Sequence, residues 1–113
     1  MEITLRRLNK TTIFDVSGDI DLASSPQVRK LLLSELRENQ VSRVMFNLTK
    51  VHYIDSSGIA SLVEGLKASR DIGSRLVLFG LSPIAREVLQ VSRLLKVFEI
   101  YDSEDEALSS SGR

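Results

Sequence analysis

Apolar and polar positions alternate at the start of the chain. Ile3 and Leu5, with Leu8 beyond them, predict a first strand. Residues 13–16 predict a second, which Ser17-Gly18 ends. Asn9-Lys10-Thr11 reads as a hairpin connection, so these strands pair antiparallel. The period then changes. Ser25-Pro26 reads as a helix start, with Ser25 as cap and Pro26 at the first helical position. Val28, Leu31, Leu32 and Leu36 follow at helical spacing toward Glu38-Asn39. Residues 41–48 are rich in strand formers, with Val44, Phe46 and Leu48 on one face and Met45 on the other. That pattern suits a strand covered on both sides. Ile59, Leu62, Val63 and Leu66 recur at helical spacing and predict a second helix, which Gly73 stops. Residues 76–79 are a short apolar run typical of a buried central strand. Ser82-Pro83 repeats the cap chemistry and opens a third helix, with Ile84, Val88 and Val91 as its inner stripe. Residues 97–100 predict a last strand. Residues 102–108 predict a short helix whose acidic start suits the positive end of the helix dipole.

The element order is therefore ββαβαβαβα. Strands alternating with helices imply right-handed crossovers and a largely parallel α/β sheet, made mixed by the opening hairpin. One domain over residues 1–108 is expected, with residues 109–113 as a disordered tail. Composition narrows the function classes. Lys+Arg and Asp+Glu are 15 each, so no net field advertises nucleic acid or an anionic membrane. There is no Cys and one His, which leaves neither disulfides nor thiolate metal sites. No apolar run is long enough to span a bilayer, and residues 1–4 lack the apolar core of a signal peptide. A cytoplasmic location is the expectation.

Ligands of open α/β sheets bind outside the carboxyl ends of the strands. Asp55-Ser56-Ser57-Gly58 falls there, ahead of the second helix. Ser56 or Ser57 is placed to cap that helix, and capping alone accounts for the residue types. A hydroxyl in this position can also carry a phosphate, which would face free N–H groups and the positive dipole end. Gly58 reads as leaving room in front of that hydroxyl. His52 is a lone His on the connection and a poor catalytic base. Asp19, Asp21 and Asp55 could crowd to hold a divalent cation. Asp in turns more often bonds its own backbone, and that reading is preferred. No glycine cluster cradles phosphates.

Residues 48–59, with Asp55-Ser56-Ser57-Gly58 at their heart, resemble the signature of the anti-sigma factor antagonists, proteins of the STAS fold. Gly18-Asp19-Ile20-Asp21 is similar to that family's turn after the second strand. Gly80-Leu81-Ser82-Pro83 and residues 94–100 resemble its third-helix start and closing strand. The resemblance implies a switch rather than an enzyme, with no cofactor. An unphosphorylated antagonist binds an anti-sigma factor, often a serine kinase, and so frees a sigma factor. Phosphorylation of Ser56 turns binding off, and a phosphatase restores it. Asp21, Asp55, Ser56, Ser57 and Gly58 would form the docking face. A monomer is favoured. The alternative from the same fold is an accessory subunit stabilising the ATPase of a bacterial lipid-transport ABC system. One departure stands out. Where the family commonly has Ser-Gly-Leu after the third helix, this chain has Ser92-Arg93-Leu94. An arginine is disfavoured in a left-handed cap, so the helix is expected to end differently.

Overall fold

The computed structural model describes residues 1–111. The elements are β1 (Glu2–Leu8), β2 (Thr11–Ser17), α1 (Ser25–Leu33), β3 (Arg43–Lys50), α2 (Ser56–Asp71), β4 (Arg75–Phe79), α3 (Pro83–Val91), β5 (Glu99–Tyr101) and α4 (Glu104–Ser109). A π-helical turn, Ser34–Glu38, prolongs α1. The strands form one sheet in chain order. β1 and β2 pair antiparallel across an Asn9-Lys10 turn, and β2 to β5 pair parallel. Asn9 takes a φ of 56° in that turn, a left-handed value that asparagine tolerates.

Each crossover steps one strand in the same direction, so right-handed connections put α1, α2 and α3 on one face. There Val28, Leu32, Leu62, Leu66, Ala85 and Leu89 pack on Phe14, Val44, Phe46, Leu48 and Leu78. The Phe14 and Phe46 rings lie 4.7 Å apart. Met45 turns the other way and joins Ile13, Val77 and Phe79 under Ala107 of α4. The alternation in β3 thus divides its side chains between two cores, as its sequence predicts. Gly65 lets α1 and α2 approach closely, since a Cβ there would stand 2.1 Å from Leu32 Cδ2.

Four local expectations are corrected. Ser25 is the buried first residue of α1 and Ser24 precedes it. No side chain caps the helix; the Ser25 amide donates to the Asp21 carbonyl at 2.7 Å, and Asp21 Oδ1 accepts from the Ala23 and Ser24 amides of the preceding turn at 3.1 Å each. In α3, Ser82 caps as expected by accepting from the Ala85 amide at 3.1 Å. Its inner face is Ala85 and Leu89, with Val88 half-buried and Ile84 and Val91 exposed. The two stripes differ by one residue, about 100° around the helix, and the chain's path out of β4 selects between them. The last strand begins at Glu99 rather than at residue 97, and Val97 lies at the surface. Arg93 takes a φ of 61°. Its amide donates to the Gln90 carbonyl at 3.0 Å and the Leu94 amide to that of Leu89 at 2.8 Å. This is the left-handed Schellman ending that glycine usually makes, adopted here by arginine. Of the expected tail, Ser109 closes α4 and Ser110 Oγ accepts from Arg75 at 2.8 Å. Gly112 and Arg113 lie outside the described residues.

Candidate functional site

Three connections meet at the carboxyl edge of the parallel strands. They are the β2–α1 loop, the β3–α2 loop and the short β4–α3 loop. Pairing of β2 with β3 continues beyond the strands. The Gly18 amide donates to the Lys50 carbonyl at 3.0 Å, and the Ile20 amide to the Tyr53 carbonyl at 3.1 Å. The Asp55 amide returns a bond to the Ile20 carbonyl at 3.1 Å, closing a parallel bridge between Ile20 and Ile54. Ser82 Oγ donates to the His52 carbonyl at 3.0 Å and draws in the third loop. His52 itself is exposed.

Asp55 sits at the centre of this arrangement. Its backbone is extended, and its Oδ1 accepts from the Gly58 amide at 2.9 Å. Its Oδ2 accepts from the Leu22 amide at 3.1 Å. Asp55 therefore caps α2 and holds the β2–α1 loop with one carboxylate. The expectation that Ser56 or Ser57 caps the helix is corrected by this bond. All these residue types can cap, so type alone does not choose among them. Ser56 becomes the first helical residue and is exposed, and its hydroxyl makes no bond to another described residue. Ser57 is half-buried, and its carbonyl accepts from Ser61 Oγ at 3.2 Å. The amides of Gly58 and Ile59 are both taken by Asp55, which leaves those of Ser56 and Ser57 at the open end of the helix.

Gly58 has a different role from the one its size implied. It is buried, and a Cβ there would stand 2.6 Å from the Ile20 carbonyl oxygen and 2.7 Å from Ile54. It brings α2 against the β2–α1 loop rather than clearing space before Ser56. Asp21 is held by its own turn. Besides the two amides, Ser24 Oγ donates to its carboxylate at 3.1 Å and accepts from its amide at 2.9 Å. The Ser24 amide and hydroxyl hold the Asp21 carboxyl below the ordinary aspartate range. Asp21 and Asp55 thus direct their oxygens at backbone N–H groups. Among the described residues no cluster of three or more His, Cys, Asp or Glu is placed to hold a metal ion. The contribution of Leu22 to this edge was not foreseen, because a single apolar residue in a turn carries no periodic signal.

Residues 2–107 match the family model of the STAS domain. The chain is 36% identical over 107 residues to the anti-sigma-B factor antagonist of Listeria monocytogenes, covering 94% of this chain and 91% of that one. It belongs to the anti-sigma factor antagonist family of STAS domains. An anti-sigma factor antagonist STAS domain protein from Planctomyces limnophilus superposes with a TM-score of 0.82 at 25% identity, covering 94% of this chain and 93% of that one. The phosphorylated form of the Bacillus cell fate determinant SpoIIAA superposes with a TM-score of 0.75 at 22% identity, covering 95% and 96% of the two chains. These relatives do not favour the transporter-subunit alternative. Among the described residues, no helix is long and apolar enough to cross a membrane.

Proposed function

We propose that the unphosphorylated chain binds an anti-sigma factor that is also a serine kinase, and so releases a sigma factor in the cytoplasm. Phosphorylation of Ser56 ends the binding, and a phosphatase restores it. The chain is the substrate of these enzymes and not a catalyst. The observation that carries this reading is the position of Ser56. Its hydroxyl is exposed at the head of a 16-residue helix, on an edge whose loops are bonded to one another. A kinase needs a hydroxyl it can enclose, and Ser57 beside it is half-buried. Asp21, Asp55, Ser56 and Ser57 form the docking edge, and Gly58 supports it from beneath. That the Bacillus relative is known in a phosphorylated form supports the same reading.

The test is a labelling experiment. Wild type, Ser56→Ala and Ser57→Ala are incubated with ATP and the purified anti-sigma factor captured by the wild-type chain. Label disappears in Ser56→Ala and persists in Ser57→Ala. Strong labelling of Ser56→Ala sinks the assignment.

A further inference from the structure

Several apolar side chains left in solvent gather at one edge. Leu22 is 74% exposed, Tyr53 42% and Ile84 38%. Leu22 comes from the β2–α1 loop, Tyr53 from the β3–α2 loop and Ile84 from the first turn of α3. Hydrogen bonds join these three segments around Ser56, through Leu22 to Asp55, Ile20 to Tyr53 and Ser82 to His52. The loop that carries Leu22 is fixed further. Asp21 takes the Ala23 and Ser24 amides, and its own amide donates to Ser24 Oγ at 2.9 Å. A turn that only connects two elements favours Gly, Asn, Asp or Ser at its tip. Here a leucine is held in solvent on a backbone that binding would not need to order. An apolar side chain presented in this way loses little freedom when it docks.

We infer that Leu22 is an anchor through which the anti-sigma factor recognises this chain. Its side chain enters an apolar hollow beside the partner's phosphate-donating site, and Tyr53 and Ile84 form the surrounding rim. The inference rests on the function proposed above. The occupant follows from continuity with the Ser56 site. The Leu22 amide is bonded to the carboxylate of the residue directly before Ser56, so a protein that encloses the Ser56 hydroxyl also covers Leu22. Val91 is as exposed, at 77%. It lies about 10 Å along α3 from Ile84, away from this edge, and serves as the control.

The experiment uses the full chain and the purified anti-sigma factor that wild type captures. Leu22→Ser, Leu22→Met and Val91→Ser are compared with wild type by calorimetric titration. Melting temperature, sedimentation and the rate of Ser56 phosphorylation are measured on the same preparations. Burial of a leucine side chain corresponds to a loss of about ten- to a hundredfold in affinity when it is removed. Leu22→Ser is expected to show that loss and to raise KM for phosphorylation with kcat unchanged, the mark of uniform binding. Leu22→Met and Val91→Ser stay near wild type. Melting is unchanged, because the Leu22 amide and not its side chain bonds Asp55. Should Leu22→Ser melt lower, Leu22→Asn, suited to turns, carries the same comparison. Unchanged affinity in Leu22→Ser overturns the anchor and leaves the functional reading standing. Equal losses in Leu22→Ser and Val91→Ser overturn it too. Dissociation of a homodimer by Leu22→Ser, with partner affinity intact, assigns the patch to a second copy and overturns it. A wild-type chain that binds no anti-sigma factor and accepts no phosphate on Ser56 overturns the functional reading and the inference together.

Discussion

Asp55 does with one side chain what two residues would otherwise do. Its Oδ1 satisfies an orphan amide of α2 and its Oδ2 fixes the neighbouring loop. Truncating a capping side chain costs about 0.5–2 kcal/mol, and the bond to Leu22 is lost besides. Asp55→Ala is therefore expected to lower stability by about 1–3 kcal/mol, and Asp55→Asn by less. Thermal melts measure the loss, and amide exchange locates it at Leu22 and Gly58. A loss of stability with no faster exchange at Leu22 would refute the two-sided role. Asp21→Ala is a milder case with the same logic. From sequence it is a surface change in a turn, but its carboxylate takes two amides and a hydroxyl, so a lower melting temperature is expected. Partner affinity measured on the folded fraction falls further than stability does, because the turn that carries Leu22 loosens. Unchanged affinity with a lower melting temperature would make Asp21 purely structural.

At the level of elements, the hydrophobic pattern carried most of the fold, and its failures have identifiable causes. Period-two alternation in β3 assigned Val44, Phe46 and Leu48 to one core and Met45 to the other, because the pleat leaves no choice. A helix allows more. In α3 two apolar stripes overlap, so sequence alone could not say that Ala85 and Leu89 face inward while Ile84 and Val91 stay out. The Asp55-Ser56-Ser57-Gly58 segment was legible as a helix start after a strand. The identity of the cap was not, since Asp, Ser and Ser are adjacent candidates. Buried Glu35 gave no signal either. A π-helical turn directs it inward, where it accepts from Thr12 Oγ1 at 2.7 Å and from Arg7 at 2.9 Å. The Arg93 ending was misjudged for a different reason. The propensity argument was sound, but two hydrogen bonds and the packing of Leu94 outweigh the strain. That strain persists and can be released. Left-handed backbone costs a non-glycine residue about 1–2 kcal/mol, part of which glycine returns through its freer unfolded chain. Arg93→Gly is expected to raise stability by about 0.5–1 kcal/mol with the urea slope unchanged. A lower urea midpoint would mean that the arginine side chain makes a contribution the cap geometry does not explain.

For the molecule as a whole, acid and phosphate act on different parts. Arg6 and Asn47 hold the Asp15 carboxyl below its ordinary range, with burial opposing them. Burial alone would raise the Glu35 pKa, but bonds from Thr12, Arg7 and Asn39 outweigh it and the net direction is down. A carboxylate depressed in the folded state stabilises it fully above its unfolded pKa, near 4. That stability is lost as pH falls through the folded value. Stability should thus hold from neutral pH to about 5 and decline below it. Glu35→Gln is expected to be less stable by about 1–3 kcal/mol at pH 7, with the gap to wild type narrowing by pH 3. Urea midpoints across that range check it, and a constant gap would show that Glu35 is not depressed. Phosphorylation works at the opposite end of the scale. A phosphate on Ser56 adds about −1.5 to −2 charges beside Asp55. The open amides of Ser56 and Ser57 and the helix dipole favour it by about 0.3–1 kcal/mol at an exposed site, while Asp55 repels it. Terms this similar in size leave the sheet and both cores undisturbed. A docked partner shaped around a neutral hydroxyl is disturbed far more, since like charge or an unpaired group at an interface costs several kcal/mol. At about 1.4 kcal/mol per tenfold, that suffices for a binding switch. Amide spectra of the two forms should differ only around the β2–α1 and β3–α2 loops and the first turn of α2, with partner affinity falling at least about tenfold. Shifts spread through β4 and β5, or equal affinity of both forms, would mean that the switch acts through the fold or not at all.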